Sequence, residues 1–188
     1  MTEDPIPPDT KDWTWVVAQP CPECGLDTTT LDVSSAAATI EATTEAWERV
    51  LARDDVRTRP RPDRWSPLEY ACHVRDVLRV CTGRLRSMRA EHDPVFANWD
   101  QDATAVEDRY GEQDPGTVAG ELREAATAAA GELAAVRPDE LGRPGRRGDG
   151  AAFTVDTFIR YLLHEQVHHL WDVGEPFRLA SDGGRAAR

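Results

Sequence analysis

The sequence predicts an all-α protein, a four-helix bundle preceded by an irregular arm. Apolar residues recur at helical spacing in four long segments, one segment opens on a strong helix-start signal, and no convincing strand pattern appears. The first segment runs from about Ser34 to about Arg53, with Ala38, Ile40, Ala42, Trp47, Val50 and Leu51 at its apolar positions. The second opens at Ser66-Pro67-Leu68-Glu69, where serine can cap, proline suits the first helical position and glutamate can complete a capping box. Its stripe continues through Ala71, Val74, Leu78, Cys81, Leu85 and Met88. The third is alanine-rich and spans about Val118 to Val136. The fourth spans about Thr154 to Val173, with Val155, Phe158, Ile159, Leu162, Gln166, His169 and Val173 along one stripe. Four amphipathic helices of about 20 residues argue for a bundle.

Residues 1–31 read as an irregular arm, with Pro5, Pro7, Pro8, Pro20 and Pro22 breaking regular structure and Trp13 and Trp15 as anchors. Residues 32–175 are the bundle, and 176–188 a flexible tail. Two long connections, about 93–115 and about 137–153, are either solvated loops or functional ones. The second carries Arg143, Arg146 and Arg147, which suit a carboxylate or an acidic cofactor as well as plain solvent.

The formal charge is −12, from 22 basic and 34 acidic residues. That field repels a phosphate backbone, so no nucleic acid is expected as a partner. No apolar run is long enough to span a bilayer and the start does not resemble a secretory signal, so the expectation is a cytoplasmic protein without a membrane partner. The partner expected is a small-molecule substrate, and a homodimer is left open. Lys11 is the only lysine, and arginine in its place points to a GC-rich genome such as an actinobacterium's. The four cysteines, Cys21, Cys24, Cys72 and Cys81, suit thiols or ligands better than a disulfide framework in a reducing compartment.

The chemistry concentrates in His164-Glu165-Gln166-Val167-His168-His169, which holds three of the five histidines. Residues four apart share a helix face, so His164/His168 and Glu165/His169 are two overlapping candidate pairs. The first pair fits H-E-x-x-H, in which two histidines bind zinc and the glutamate activates water. That reading lacks its context. Trp171 stands where the longer metzincin pattern needs glycine, and Gly174 where it needs the last histidine. Helix phase favours the second pair. The apolar stripe centres near Leu162 and Gln166, which puts His169 inside it, Glu165 at its edge, and His164 and His168 nearly opposite, on the surface or against a covering loop. His73 lies at the edge of the second segment's stripe. One carboxylate and two imidazoles from facing helices would make a divalent-metal site.

Trp65-Ser66-Pro67-Leu68-Glu69-Tyr70-Ala71-Cys72-His73-Val74-Arg75-Asp76 and Glu165-Gln166-Val167-His168-His169-Leu170-Trp171-Asp172 resemble the two metal-binding motifs of the DinB-like superfamily, the YfiT-like metal-dependent enzymes. The resemblance covers about residues 34 to 175. It implies a four-helix bundle holding a divalent metal, zinc or nickel, by His73, Glu165 and His169. An alternative frame gives His73, His164 and His168. The glutamate variant with Asp172 three residues beyond the last ligand is similar to the mycothiol-dependent maleylpyruvate isomerase branch, which implies a low-molecular-weight thiol as a second cofactor. The functions in view are a metal-dependent hydrolase, a thiol-dependent transferase or isomerase, and a non-catalytic metal-binding or dimerisation module. A closed four-ligand shell completed by Cys21 or Cys24 would favour the last.

Cys21-Pro22-Glu23-Cys24-Gly25 lies outside that resemblance. It matches one knuckle of a zinc ribbon, and the second pair a ribbon needs is absent. An inert turn, a metal site with a borrowed histidine, and a redox-active thiol over the bundle mouth all remain open. Cys72 and Cys81 read as core residues, and Tyr70 and Trp99 as core or pocket lining.

Overall fold

The computed structural model describes residues 6–7 and 11–177. The four long helices are α1 (Ala36–Leu51), α2 (Pro67–Ala90), α4 (Pro115–Ala134) and α5 (Val155–Asp172), with a short α3 (Gln101–Glu107) in the first long connection. Their ends follow from local chemistry. The Ser66 hydroxyl accepts from the Glu69 N–H, and the Glu69 carboxylate accepts from the Ser66 N–H at 2.7 Å, a capping box that contributes about 1 kcal/mol. Thr154 and Thr157 cap α5 in the same reciprocal way. The far end of α5 closes on Gly174 at φ +67°, with Gly174 N–H donating to the Trp171 carbonyl and Glu175 N–H to the Leu170 carbonyl. That pattern needs a left-handed residue, hence glycine.

The helices pack as a bundle in which α4 lies against α1 and α2, and α5 against the same two. Trp47, Leu68, Leu78, Leu85, Leu122, Phe158 and Leu162 are fully buried at its centre. Among the described residues, no helix is long and apolar enough to cross a membrane.

The expectation of a chain without strands is corrected. β1 (Val95–Phe96), β2 (Pro144–Arg147) and β3 (Ala152–Thr154) form a small sheet in the order β1-β2-β3. Val95 pairs with Arg146 in parallel, and Gly145 with Phe153 antiparallel. These strands are too short to show alternation, and β1 meets a partner some fifty residues away. The sheet presses on α2 at Gly145, where an added Cβ would lie 2.7 Å from Met88 Cγ and 2.9 Å from Phe96 Cζ. The long connections are therefore structured, and their arginines tie them down. Arg143 donates to the carbonyls of Met88 and Glu91, Arg146 pairs with Asp93, and Arg147 pairs with Asp149.

The arm is not irregular throughout. Short 3-10 turns at Thr14–Val17, Thr28–Thr30 and Val33–Ser35 lead into α1. Arg160 on α5 donates to the carbonyls of Thr28 and Leu31 and pairs with Asp156, which fixes the arm along α5. Pro5 and Pro8 of the arm, and the tail from 178 to 188, lie outside the described residues.

Candidate metal centre

His73 sits in the second turn of α2, and Glu165 and His169 on consecutive turns of α5. The two helices pack face to face, and one ligand atom from each of the three side chains lies within 4.8 Å of the others. The His73 and His169 rings meet edge to face, with centroids 4.8 Å apart. Trp99 stacks on His73 at 5.6 Å and 6°, and Trp65 covers it at 5.2 Å.

The surrounding bonds orient the donors. Asp172 Oδ2 accepts from His169 Nδ1 at 3.0 Å, and Arg64 holds the other oxygen of Asp172 at 3.0 Å. A carboxylate behind the ring fixes its tautomer and turns Nε2 toward the centre. Nε2 lies 3.4 Å from Glu165 Oε2 but makes no hydrogen bond. The buried His73 Nδ1 also has no partner. Buried polar atoms are nearly always satisfied, so a buried His169 Nε2 left without a hydrogen bond beside a carboxylate suits a cation. The donor set, two imidazoles and one carboxylate, is one that zinc and similar divalent ions accept. Tyr161, one turn before Glu165, borders the same cleft, and burial and the Glu165 charge push its phenol well above the usual range.

Burial disfavours the charged form of His73, and the neighbouring His169 adds to this, so its pKa falls to about 3. Burial also opposes protonation of His169, but the bond to Asp172 and the charge of Glu165 outweigh it and lift its pKa to about 9. Desolvation would raise Glu165, yet the protonated His169 ring 3.4 Å away holds it well below the usual carboxylate range. Without metal, then, the centre is a His169–Glu165 ion pair beside a neutral His73.

The centre opens into a cleft of about 370 Å³, whose walls include Trp13, Arg64, Trp65, Tyr70 and Tyr161. Glu165 and Tyr161 also border a second cleft of about 350 Å³, reached past Trp99, Arg84 and Arg147. Tyr70 and Trp99 thus both line pockets. Cys72 and Cys81 are buried in the core, where burial pushes both thiols up to about 12.

Of the two positions expected for His164 and His168, on the surface or against a covering loop, the structure shows the second. Both are buried, at 1% and 4% exposure, because the arm folds over that face of α5. Trp13 packs against both rings, at 5.6 and 4.7 Å between centroids. Their ligand atoms gather with those of Cys21 and Cys24, and His73 is not in that group. Sequence reasoning passed over Tyr161 and Arg64. The spacing of four between Tyr161 and Glu165 was a usable signal, whereas Arg64 comes from a loop and carried none.

The fold and the pocket define a helical-bundle protein with a candidate divalent-metal centre between two helices. Residues 35–173 match the DinB superfamily, and the chain belongs to that superfamily. YfiT from Bacillus subtilis, described as a probable metal-dependent hydrolase with an unusual four-helix bundle topology, superposes with a TM-score of 0.68. The match covers 76% of this chain and 84% of YfiT at 17% identity, a likeness of fold. Among curated proteins none matches the chain.

Proposed function

We propose that the protein is a metal-dependent enzyme in which His73, Glu165 and His169 hold one divalent ion at the floor of the cleft. The observation that carries this reading is the meeting of those three donors within 4.8 Å, with His169 Nε2 buried and without a hydrogen bond. Three protein ligands leave positions open, the pattern of catalytic rather than structural zinc. When bound, such an ion lowers the pKa of a water or thiol ligand and makes a nucleophile available at neutral pH.

The chain's own residues have separate roles. Asp172 accepts from His169 Nδ1 and keeps Nε2 free of its proton in the loaded state. In the metal-free protein the charge of His169 keeps Glu165 ionised. Trp65 and Trp99 wall His73 off from water, and Arg64 holds Asp172 while bordering the cleft. The reading takes a small molecule with an electrophilic carbon as substrate. Hydrolysis is supported by the fold shared with YfiT. A thiol-dependent transfer or isomerisation is the second reading, supported by the glutamate variant of the last-helix motif with Asp172 behind it.

Metal analysis of the purified protein, then substitution of His73, Glu165 and His169 singly, tests the site. Turnover of ester, amide and electrophile panels, with and without a low-molecular-weight thiol, tests the chemistry. Full metal content in Glu165→Ala and His169→Ala, or turnover indifferent to chelation, would defeat the reading.

A further inference from the structure

The second i,i+4 pair of α5 has its own partners. Cys21, Cys24, His164 and His168 offer one ligand atom each, and all four lie within 4.8 Å of one another. Cys21 Sγ is 3.7 Å from His168 Nδ1. In a tetrahedral zinc site with Zn–S near 2.3 Å and Zn–N near 2.0–2.1 Å, sulfur and nitrogen are about 3.6 Å apart, so this edge already has the right length. We propose that these four residues hold a zinc ion, separate from the one in the cleft, that clasps the arm to α5.

Two further observations point to a ligand there. His164 is 1% exposed, yet neither of its ring nitrogens has a hydrogen-bond partner. A histidine buried so deeply with both nitrogens unsatisfied is costly unless something accepts a lone pair. The cysteine turn also has the right shape. Gly25 N–H donates to the Cys21 carbonyl, Cys21 N–H donates to the Leu26 carbonyl, and Gly25 takes φ +75°. The chain reverses at the second cysteine, which brings both sulfurs to one side, and the left-handed turn needs glycine.

Binding balances simply. Cys21 and Cys24 each lose a proton to solvent, and two thiolates plus Zn2+ give a neutral centre that tolerates burial. Ligation through His168 Nδ1 leaves its proton on Nε2, which faces Glu23 at 3.7 Å and Asp172 at 3.8 Å. Four protein ligands close the shell, so this ion is structural. The arm it anchors carries Trp13 and Glu23 to the wall of the cleft, and the clasp therefore sets the cleft's shape.

The test uses the full chain purified under reducing conditions. The expected metal content is two equivalents, falling to one in Cys21→Ser/Cys24→Ser and, independently, to one in His73→Ala/His169→Ala. X-ray absorption at the zinc edge should show sulfur at about 2.3 Å in the wild type and in His73→Ala/His169→Ala. Cobalt substitution of the wild type should give a thiolate-to-cobalt charge-transfer band, a readout that needs no variant to fold. Absence of both sulfur signatures in the wild type overturns the proposal, as does a Cys21–Cys24 disulfide in the reduced, metal-supplemented protein. One equivalent of zinc with sulfur ligands would uphold the clasp while defeating the metal in the cleft.

Discussion

Two clusters share the same two turns of α5 and differ in nearly every other respect. Glu165 and His169 meet His73, supplied by a neighbouring helix of the bundle. One residue earlier in phase, His164 and His168 meet two cysteines from the arm. The first group offers three hard or borderline donors beside a cleft, and the second offers four, two of them sulfur, beneath a covering segment. Ligand number and openness separate catalytic from structural metal sites, so the contrast is what the two proposed roles rest on. An H-E-x-x-H string arises here because two offset pairs interleave, with no peptidase context around them.

The contrast can be broken most severely at His169. His169→Ala should remove the ion from the cleft and lower metal-dependent turnover at least about a hundredfold, leaving the sulfur-ligated metal in place. Metal content and steady-state kinetics check this together. Asp172→Asn touches both groups, since Asp172 bonds His169 Nδ1 and lies 3.8 Å from His168 Nε2. A loss of about 10–100-fold in metal affinity is expected, the larger part at the cleft, by competition with a chromogenic chelator.

Proton linkage sharpens the comparison further. In the metal-free protein, burial lowers His73 to about 3 and His164 to about 4, from an ordinary 6.5. The unfolded chain then binds more protons than the folded one between those values, so stability falls as pH drops from about 6.5 toward 4. His169 runs the other way. Its raised pKa contributes stability that is complete below 6.5 and is lost as pH climbs through about 9. Denaturant titrations of metal-free protein at pH 5, 7 and 9 should give greatest stability near the middle, an optimum that broadens toward low pH in His164→Phe. The smallest effect is expected for Trp99→Ala. Its stacking on His73 is worth about 0.5–1.5 kcal/mol beyond area burial. The melting midpoint should drop by a few degrees, at roughly 2–4 °C per kcal/mol for a chain of this size.

Much of this was legible in the residues because it is local. The capping box at Ser66 and Glu69, the stripe of α2 and the phase of α5 each depend on neighbours within two turns, and the helices lie within a few residues of where periodicity puts them. The same phase argument turned Glu165 and His169 toward α2. For His164 and His168 it left surface and covering loop open, because phase places a side chain opposite the core without saying what covers it. A proline-rich arm with no periodicity gives no sign of where it will dock, and its docking is what buries that face. The three-stranded sheet escaped for a related reason, since its pairing is set by tertiary contact rather than by pattern.

Gly145 shows how far from either cluster the geometry is decided. A methyl group there would collide with Met88 and Phe96, so the hairpin of β2 and β3 would have to lift from α2. Phe96 lies in β1, paired with β2, and the chain leaving β1 reaches Trp99 three residues later. Lifting the hairpin would therefore loosen the lid on His73 without altering any donor. One hydrogen atom in place of a methyl thus acts as a spacer that sets how tightly the centre is shut.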